Sequence, residues 1–265
     1  MPTVTDYQPG MACWLDLASP DLEASKRFYR ELFGWSSYTI TQDAFPDYEV
    51  FTLGGPEGPS TSGLYRLVDE TQPPTWTVYF RVEDVDAVGR AVTAAGGQEL
   101  LDPMQGMHLG RVAMYSDLEG ADFAVWQPFG REGMEILREP SAMCWVELAS
   151  RDIWSARRFY GDVFGWRALD RRYYRAAPYT EWETDGRPVG GGMVFMDERW
   201  PPHWSAYWTP YFWVTDCDAT VWKATELGGR VTIPPTDIDP GRFAGIADPT
   251  GARLAVITPD PRYAP

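Results

Sequence analysis

The chain has 265 residues, enough for one large domain or two of ordinary size, with 44% hydrophobic and 23% charged residues, the proportions of a soluble globular protein. Its formal net charge of −15 excludes nucleic acid as a partner, since no cluster of Lys and Arg stands ready for phosphates, and no run is apolar enough to span a membrane. The opening MPTVTDYQPG carries neither a basic nor an apolar signal region, and the three cysteines form no CxxC pair, so a cytoplasmic, reducing location is expected.

Residues 12–18 alternate as a strand, with Cys13, Leu15 and Leu17 on one face and Trp14 and Asp16 on the other. Ser19 is placed to cap a helix, with Pro20 in its first turn and Asp21 near its positive end. Leu22, Ser25, Phe28, Tyr29, Leu32 and Phe33 then fall on one helical face, and Gly34 ends it. Strands follow near 37–41, 47–53 and 62–68. The chain then starts over, with a strand at 75–82, a helix at 84–95, a Gly-Gly turn, and strands near 98–102, 109–115 and 121–127.

From residue 144 the pattern repeats. CWVELASRDIWSARRFYGDVFGW matches CWLDLASPDLEASKRFYRELFGW from residue 13 at 12 of 23 positions, an offset of 131. Phe80–Ala87 matches Phe212–Ala219, Gly96-Gly97 matches Gly228-Gly229, and Gly110–Asp117 matches Gly241–Asp248. A repeat this long is a duplicated domain. Domains are expected at 1–130 and 143–265, joined by a charged stretch at 130–142, each built of two βαβββ modules.

The segments DLEASKRFYRELFGW, SDLEGADFAVWQP and ADPTGARLAVITP resemble the vicinal oxygen chelate superfamily, which includes glyoxalase I, extradiol dioxygenases, and the fosfomycin- and bleomycin-resistance proteins. The resemblance implies an α+β fold of tandem domains, four βαβββ modules forming cup-shaped sheets with the helices outside. It also implies where metal ligands would stand. Carried onto this chain, the three strand positions of each site are Trp14, Thr77 and Ala124, then Trp145, Thr209 and Ala255. None is His, Glu, Gln, Asp or Cys, and indole and methyl groups offer no donor to a divalent ion. A slip of two residues offers Asp16 and Glu147, but then brings Tyr79 and Tyr211, and Trp126 and Ile257. No metal and no other cofactor is therefore expected.

Strand parity places other residues in the cups. The first cup gathers Trp14, Asp16, Thr77, Tyr79, Arg81 and Trp126, and the second Trp145, Glu147, Thr209, Tyr211 and Trp213, with Arg253 nearby. With 13 tryptophans in the chain, this points to a small planar aromatic ligand. Asp16 and Glu147 are the candidates for catalysis, as general bases or counter-charges; alternatively they pair with Arg81 and Arg253. His108 could gate the mouth, or simply be solvated. Cys13 and Cys144 are expected to face the helix, and Gly54-Gly55 and Gly190–Gly192 to form turns. Three functions follow: metal-independent sequestration of the bleomycin-resistance kind, a metal-free cyclase, lyase or isomerase of secondary metabolism, or a glyoxalase- or dioxygenase-like metalloenzyme. A tandem chain supplying both halves of each cup is expected to be a monomer or weak homodimer.

Overall fold

A computed structural model describes residues 6–42, 45–69, 71–106, 109–171, 179–198 and 200–262. The first copy runs β1 (Ala12–Ser19), α1 (Leu22–Phe33), β2 (Trp35–Gln42), β3 (Phe45–Leu53), β4 (Ser60–Arg66), then β5 (Thr75–Arg81), α2 (Val85–Ala94), β6 (Gln98–Gly106), β7 (Gly110–Ser116) and β8 (Asp122–Pro128). The second runs β9 (Met143–Ser150), α3 (Ile153–Phe164), β10 (Arg167–Arg171), β11 (Tyr179–Thr184), β12 (Arg187–Phe195), then β13 (Tyr207–Trp213), α4 (Cys217–Glu226), β14 (Arg230–Ile238), β15 (Gly241–Ala247) and β16 (Arg253–Pro259).

Each copy forms one eight-stranded sheet, ordered β2-β3-β4-β1-β5-β8-β7-β6 and β10-β11-β12-β9-β13-β16-β15-β14. The two modules of a copy meet at its centre, where β1 runs antiparallel to β5 and β9 to β13. Both halves of a cup therefore come from the same copy, and duplication doubles the cup rather than completing it.

The helices cover the outer faces of the sheets, and there the two copies meet. Helix α1 packs against α4 and α2 against α3. One apolar core runs through both copies, with Phe33 5.2 Å from Phe212 and Phe80 5.1 Å from Trp208 between ring centroids. Trp35, Trp76, Trp166, Trp182 and Trp208 are all buried in this core. Much of the aromatic surplus is thus spent between the copies and not in the cups.

Two matching latches cross this interface. Tyr29 of α1 donates to Asp248 Oδ2 (3.0 Å) and accepts from Trp76 Nε1 (3.1 Å). Tyr160 of α3 donates to Asp117 Oδ2 (3.0 Å) and accepts from Trp208 Nε1 (3.0 Å). The repeated Phe-Tyr pair and the Asp that opens each final turn are therefore structural partners of one another. Buried carboxylates need such donors, and a phenol supplies one at the cost of little flexibility.

Three local readings are corrected. The helix caps are Asp21 and Asp152, which accept from Ala24 N and Ser155 N at 3.0 Å each; Ser19 instead bonds the Ser25 hydroxyl beneath the helix. Each first strand has a register shift around its cysteine: Ala12 pairs with Phe80 but Trp14 with Tyr79, and Met143 pairs with Phe212 but Trp145 with Tyr211. The extra residue breaks the parity, so Cys13 lies beside Tyr7 and Gly133, and Cys144 joins Tyr211, Ala255 and Ile257 on the cup side. Neither cysteine faces a helix. Gly190–Gly192 lie inside β12 and not in a turn.

The charged joint is itself ordered packing. Met134 and Ile136 are buried, Met134 N donates to Cys13 O and Glu135 N to Ser60 O, and Glu135 accepts from Ser60 N at 2.9 Å. It threads between the splayed starts of β1 and β4, whose own pairing begins only at Asp16 and Gly63.

Candidate functional site: a phenol-clamped carboxylate in each cup

In the first cup the strand pairs Trp14–Tyr79, Asp16–Thr77 and Tyr79–Ala124 bring the expected residues into one row. Asp16 is 5% exposed. Its Oδ2 accepts from Tyr79 OH at 2.7 Å, and its Oδ1 from Trp14 Nε1 at 2.9 Å and from Tyr48 OH. Trp14 Nε1 also donates to the Tyr48 oxygen at 2.9 Å. The packing leaves no room for a side chain at the strand partner of Asp16: a Cβ on Gly63 would stand 1.8 Å from Tyr48 OH and 2.1 Å from Asp16 Oδ1.

The second cup repeats the arrangement with a longer acid. Glu147 accepts from Tyr211 OH at 2.8 Å and from Tyr179, whose oxygen takes the Trp145 Nε1 proton at 2.8 Å. Gly192 pairs with Glu147, and a Cβ there would meet the Tyr179 ring at 2.4 Å. Each cup floor is thus a carboxyl clasped by two phenols, with an indole bonded to the carboxyl and one phenol in the first cup and to one phenol alone in the second.

Burial raises the pKa of Asp16, against the lowering effect of the hydrogen bonds from Tyr48, Tyr79 and Trp14. It does the same to Glu147 against Tyr211 and Tyr179. All four phenols are pushed well above their usual range by burial and then by the carboxylate charge, so they remain neutral donors. Tyr65, half-buried beside this cluster, is raised to about 12 by burial and by Asp16. Such a carboxyl favours its protonated form more than a solvated one does, and can exchange a phenol for a ligand hydroxyl.

The remaining expected residues are placed as follows. Thr77 is buried and Thr209 half-buried, on the strand positions facing Asp16 and Glu147. Arg81 does not reach Asp16; its Nε meets Glu132 at 3.2 Å and its NH1 Glu83 at 3.5 Å. Arg253 does not pair with Glu147 either, but lies 3.8 Å over the Trp204 ring. Trp126 donates to Arg131 O at 3.1 Å and pairs with Arg81, and Trp213 pairs with Ile257. Cys13 and Cys144 are raised far from reactivity by burial, Cys144 to about 12. His108 lies outside the described residues.

The sequence reading missed Tyr48, Tyr179, Gly63, Gly192 and Glu132. Tyr48 and Tyr179 are separated by the same offset of 131 as the two opening motifs, and that equivalence was a readable signal. The metal positions implied by the fold fail on donor chemistry. Trp14, Thr77 and Ala124, like Trp145, Thr209 and Ala255, offer indole, hydroxyl and methyl groups, and no group of three His, Cys, Asp or Glu is gathered among the described residues. These residues do not fit a divalent ion.

The two copies share one strand order, and one family model accounts for both. The Glyoxalase/Bleomycin resistance protein/Dioxygenase superfamily matches residues 13–125 and 142–256. The chain belongs to this superfamily. Among its relatives is the anthracycline biosynthesis protein DnrV of Streptomyces peucetius, 35% identical over 272 residues and covering 96% of this chain and 95% of that protein; DauV of Streptomyces sp. strain C5 matches equally. Of solved structures, the 2,3-dioxygenase LapB from Pseudomonas sp. KL28 superposes with a TM-score of 0.60 at 14% identity, covering 98% of this chain and 97% of LapB. The Mn(II)-bound glyoxalase from Novosphingobium aromaticivorans gives 0.59 at 14% identity, covering 97% and 90%. The superfamily member described here has relatives in secondary metabolism, and no helix among its described residues is long and apolar enough to cross a membrane.

Proposed function

We propose that this protein binds a planar aromatic small molecule in its cups without a metal, in the manner of a bleomycin-resistance protein. The observation that carries the reading is the clasped carboxyl, Asp16 or Glu147, set among Trp and Tyr rings in both copies. Flat conjugated rings gain stacking area on such a surface, and one buried polar group fixes their orientation. Relatives named for anthracycline biosynthesis support a fused-ring ligand of secondary metabolism. Two sheets each complete within one chain support a monomer or weak homodimer.

The test is a titration of the intact protein with 1,4-dihydroxyanthraquinone, following tryptophan fluorescence, before and after dialysis against a chelator. Saturable quenching, unchanged by the chelator and weakened in Asp16→Asn or Glu147→Gln, is expected. Absence of saturable quenching refutes the binding reading, and loss on chelation restored by Ni or Mn replaces it with a metalloenzyme.

A second reading is favoured by one observation, a carboxyl held in hydrogen-bond contact with phenols in each copy, where burial raises its pKa. The cups then work as a metal-free cyclase, lyase or isomerase, with Asp16 or Glu147 as base and a tyrosine as acid. Mass analysis of an anthracycline-type aromatic ligand recovered after incubation separates the two, because sequestration returns it unaltered.

A further inference from the structure

The two cups have the same floor but opposite charges at one rim. On β9, β13 and β16 the second cup carries a row across neighbouring strands. Glu147 pairs with Thr209, and two residues upstream of the Tyr211–Ala255 pair stand Thr209 and Arg253. The matching row of the first cup is Asp16, Thr77 and Asp122, because Asp16 pairs with Thr77 and Tyr79 with Ala124. The third position is thus an arginine in one cup and an exposed carboxylate in the other.

Arg253 shares its strand face with Ala255 and Ile257, which line the cup side, while Leu254 and Val256 enter the core. It makes no ion pair among the described residues; its guanidinium carbon lies over the Trp204 ring, 3.8 Å from the centroid. With the ring on one side and no hydrogen-bond acceptor taken among the described residues, its N–H groups are available to meet a carboxylate with two parallel hydrogen bonds. The first cup's own cation is already neutralised, since Arg81 meets Glu132 and Glu83. On a chain of net charge −15, an organic anion is repelled wherever no local cation offsets the field.

We propose that the second cup is specific for a planar aromatic carboxylate, bound with its carboxylate on the free edge of Arg253 and its far end at Glu147, and that the first cup lacks this specificity. Two strand spacings, about 10 Å, separate the backbone positions of Glu147 and Arg253, the scale of a fused two- or three-ring skeleton. Tyr207, on the same face of β13, feels both charges: burial raises its pKa foremost, Arg253 lowers it and Glu147 raises it. Trp204 packs edge-on against Tyr207 at 5.9 Å, so the segment before β13 serves to hold the arginine in place. This inference rests on the aromatic-binding reading above.

The experiment titrates the full chain calorimetrically, at about 0.15 M salt, with 9,10-anthraquinone-2-carboxylate and with the uncharged 9,10-anthraquinone-2-carboxamide. The wild type is expected to bind the carboxylate about 10- to 100-fold more tightly, the usual weight of a charge-assisted pair. Arg253→Gln removes that preference, bringing the two probes to similar affinity, and its urea unfolding midpoint shows that the variant is folded. Arg253→Lys keeps part of the preference, since it retains the charge and loses the fork. Equal binding of both probes by the wild type, or an undiminished preference in Arg253→Gln, overturns this inference while the aromatic-binding reading stands. Failure of the wild type to bind either probe overturns both.

Discussion

The clasp at the floor of the first cup makes Gly63→Ala the sharpest test of the geometry. A methyl group there would stand 1.8 Å from the Tyr48 hydroxyl and 2.1 Å from Asp16 Oδ1. An ordinary non-bonded contact is about 3.5 Å, so both oxygens must retreat by more than about 1 Å. Retreat of that size breaks the bonds that Trp14 donates to both, now 2.9 Å each, and the Tyr48 bond to Asp16. Asp16 is 5% exposed, so water does not replace the lost donors. Overpacking costs about 1–3 kcal/mol, and each lost bond to a buried acid about 1–3 kcal/mol. Because the acid can protonate in response, a net loss of about 2–4 kcal/mol is expected. Urea unfolding at neutral pH reads this as a lower midpoint at unchanged slope. Gly130→Ala is the control: nothing lies within 4 Å of its added carbon, and such a change is neutral or stabilising by up to about 1 kcal/mol. Equal stability of Gly63→Ala and the wild type would refute the clasp.

Asp16 and Glu147 have folded pKa values raised by burial. Their contribution is therefore fully present below their unfolded values, about pH 4, and lost as pH rises through the folded ones. The double variant Asp16→Asn/Glu147→Gln should gain stability relative to the wild type as pH rises above about 4; a pH-independent difference in unfolding free energy rules this out. Tyr29→Phe strips a donor from buried Asp248 and an acceptor from Trp76, and should cost about 1–3 kcal/mol. Tyr160→Phe should cost as much at Asp117 and Trp208, with the two effects adding because no partner is shared. A silent Tyr160→Phe in thermal unfolding would show that the latches do not hold the copies together.

Local periodicity made most of the fold legible. The face of α1, the stop at Gly34 and the strand positions all follow from spacings of 3.6 and 2. The caps were harder, since Ser19, Pro20 and Asp21 offer competing starts, and only the bond from Ala24 N chooses Asp21. The bulges at Cys13 and Cys144 lie beyond pattern reasoning, because one inserted residue leaves the composition of the strand unchanged while moving its side chain to another face. Of the site, the carboxyls and one phenol per cup could be counted along the strand. The second phenol arrives from β3 or β11, two strands away from the acid, and depends on a glycine whose role is to be empty space. The partner of Arg81 comes from the joint, which resembles surface linker in composition but is anchored by buried Met134 and Ile136.

The duplication also explains where the two copies are free to differ. Each latch takes its phenol from the helix of one copy and its acid from the final turn of the other. A change in either copy therefore disturbs the shared core, and the two latches have stayed equivalent within this chain. Among the described residues no such cross-bond links the two clasped carboxyls, each of which is held by partners from its own sheet. At the rim the repeats have diverged in charge: Arg81 stands against Trp213, and Asp122 against Arg253. Binding specificity is a difference between affinities, and two cups that share a clasp but not a rim charge can discriminate between ligands with the same ring system. The physical constraint is thus concentrated on the face that holds the molecule together, leaving the open face to acquire selectivity one cup at a time.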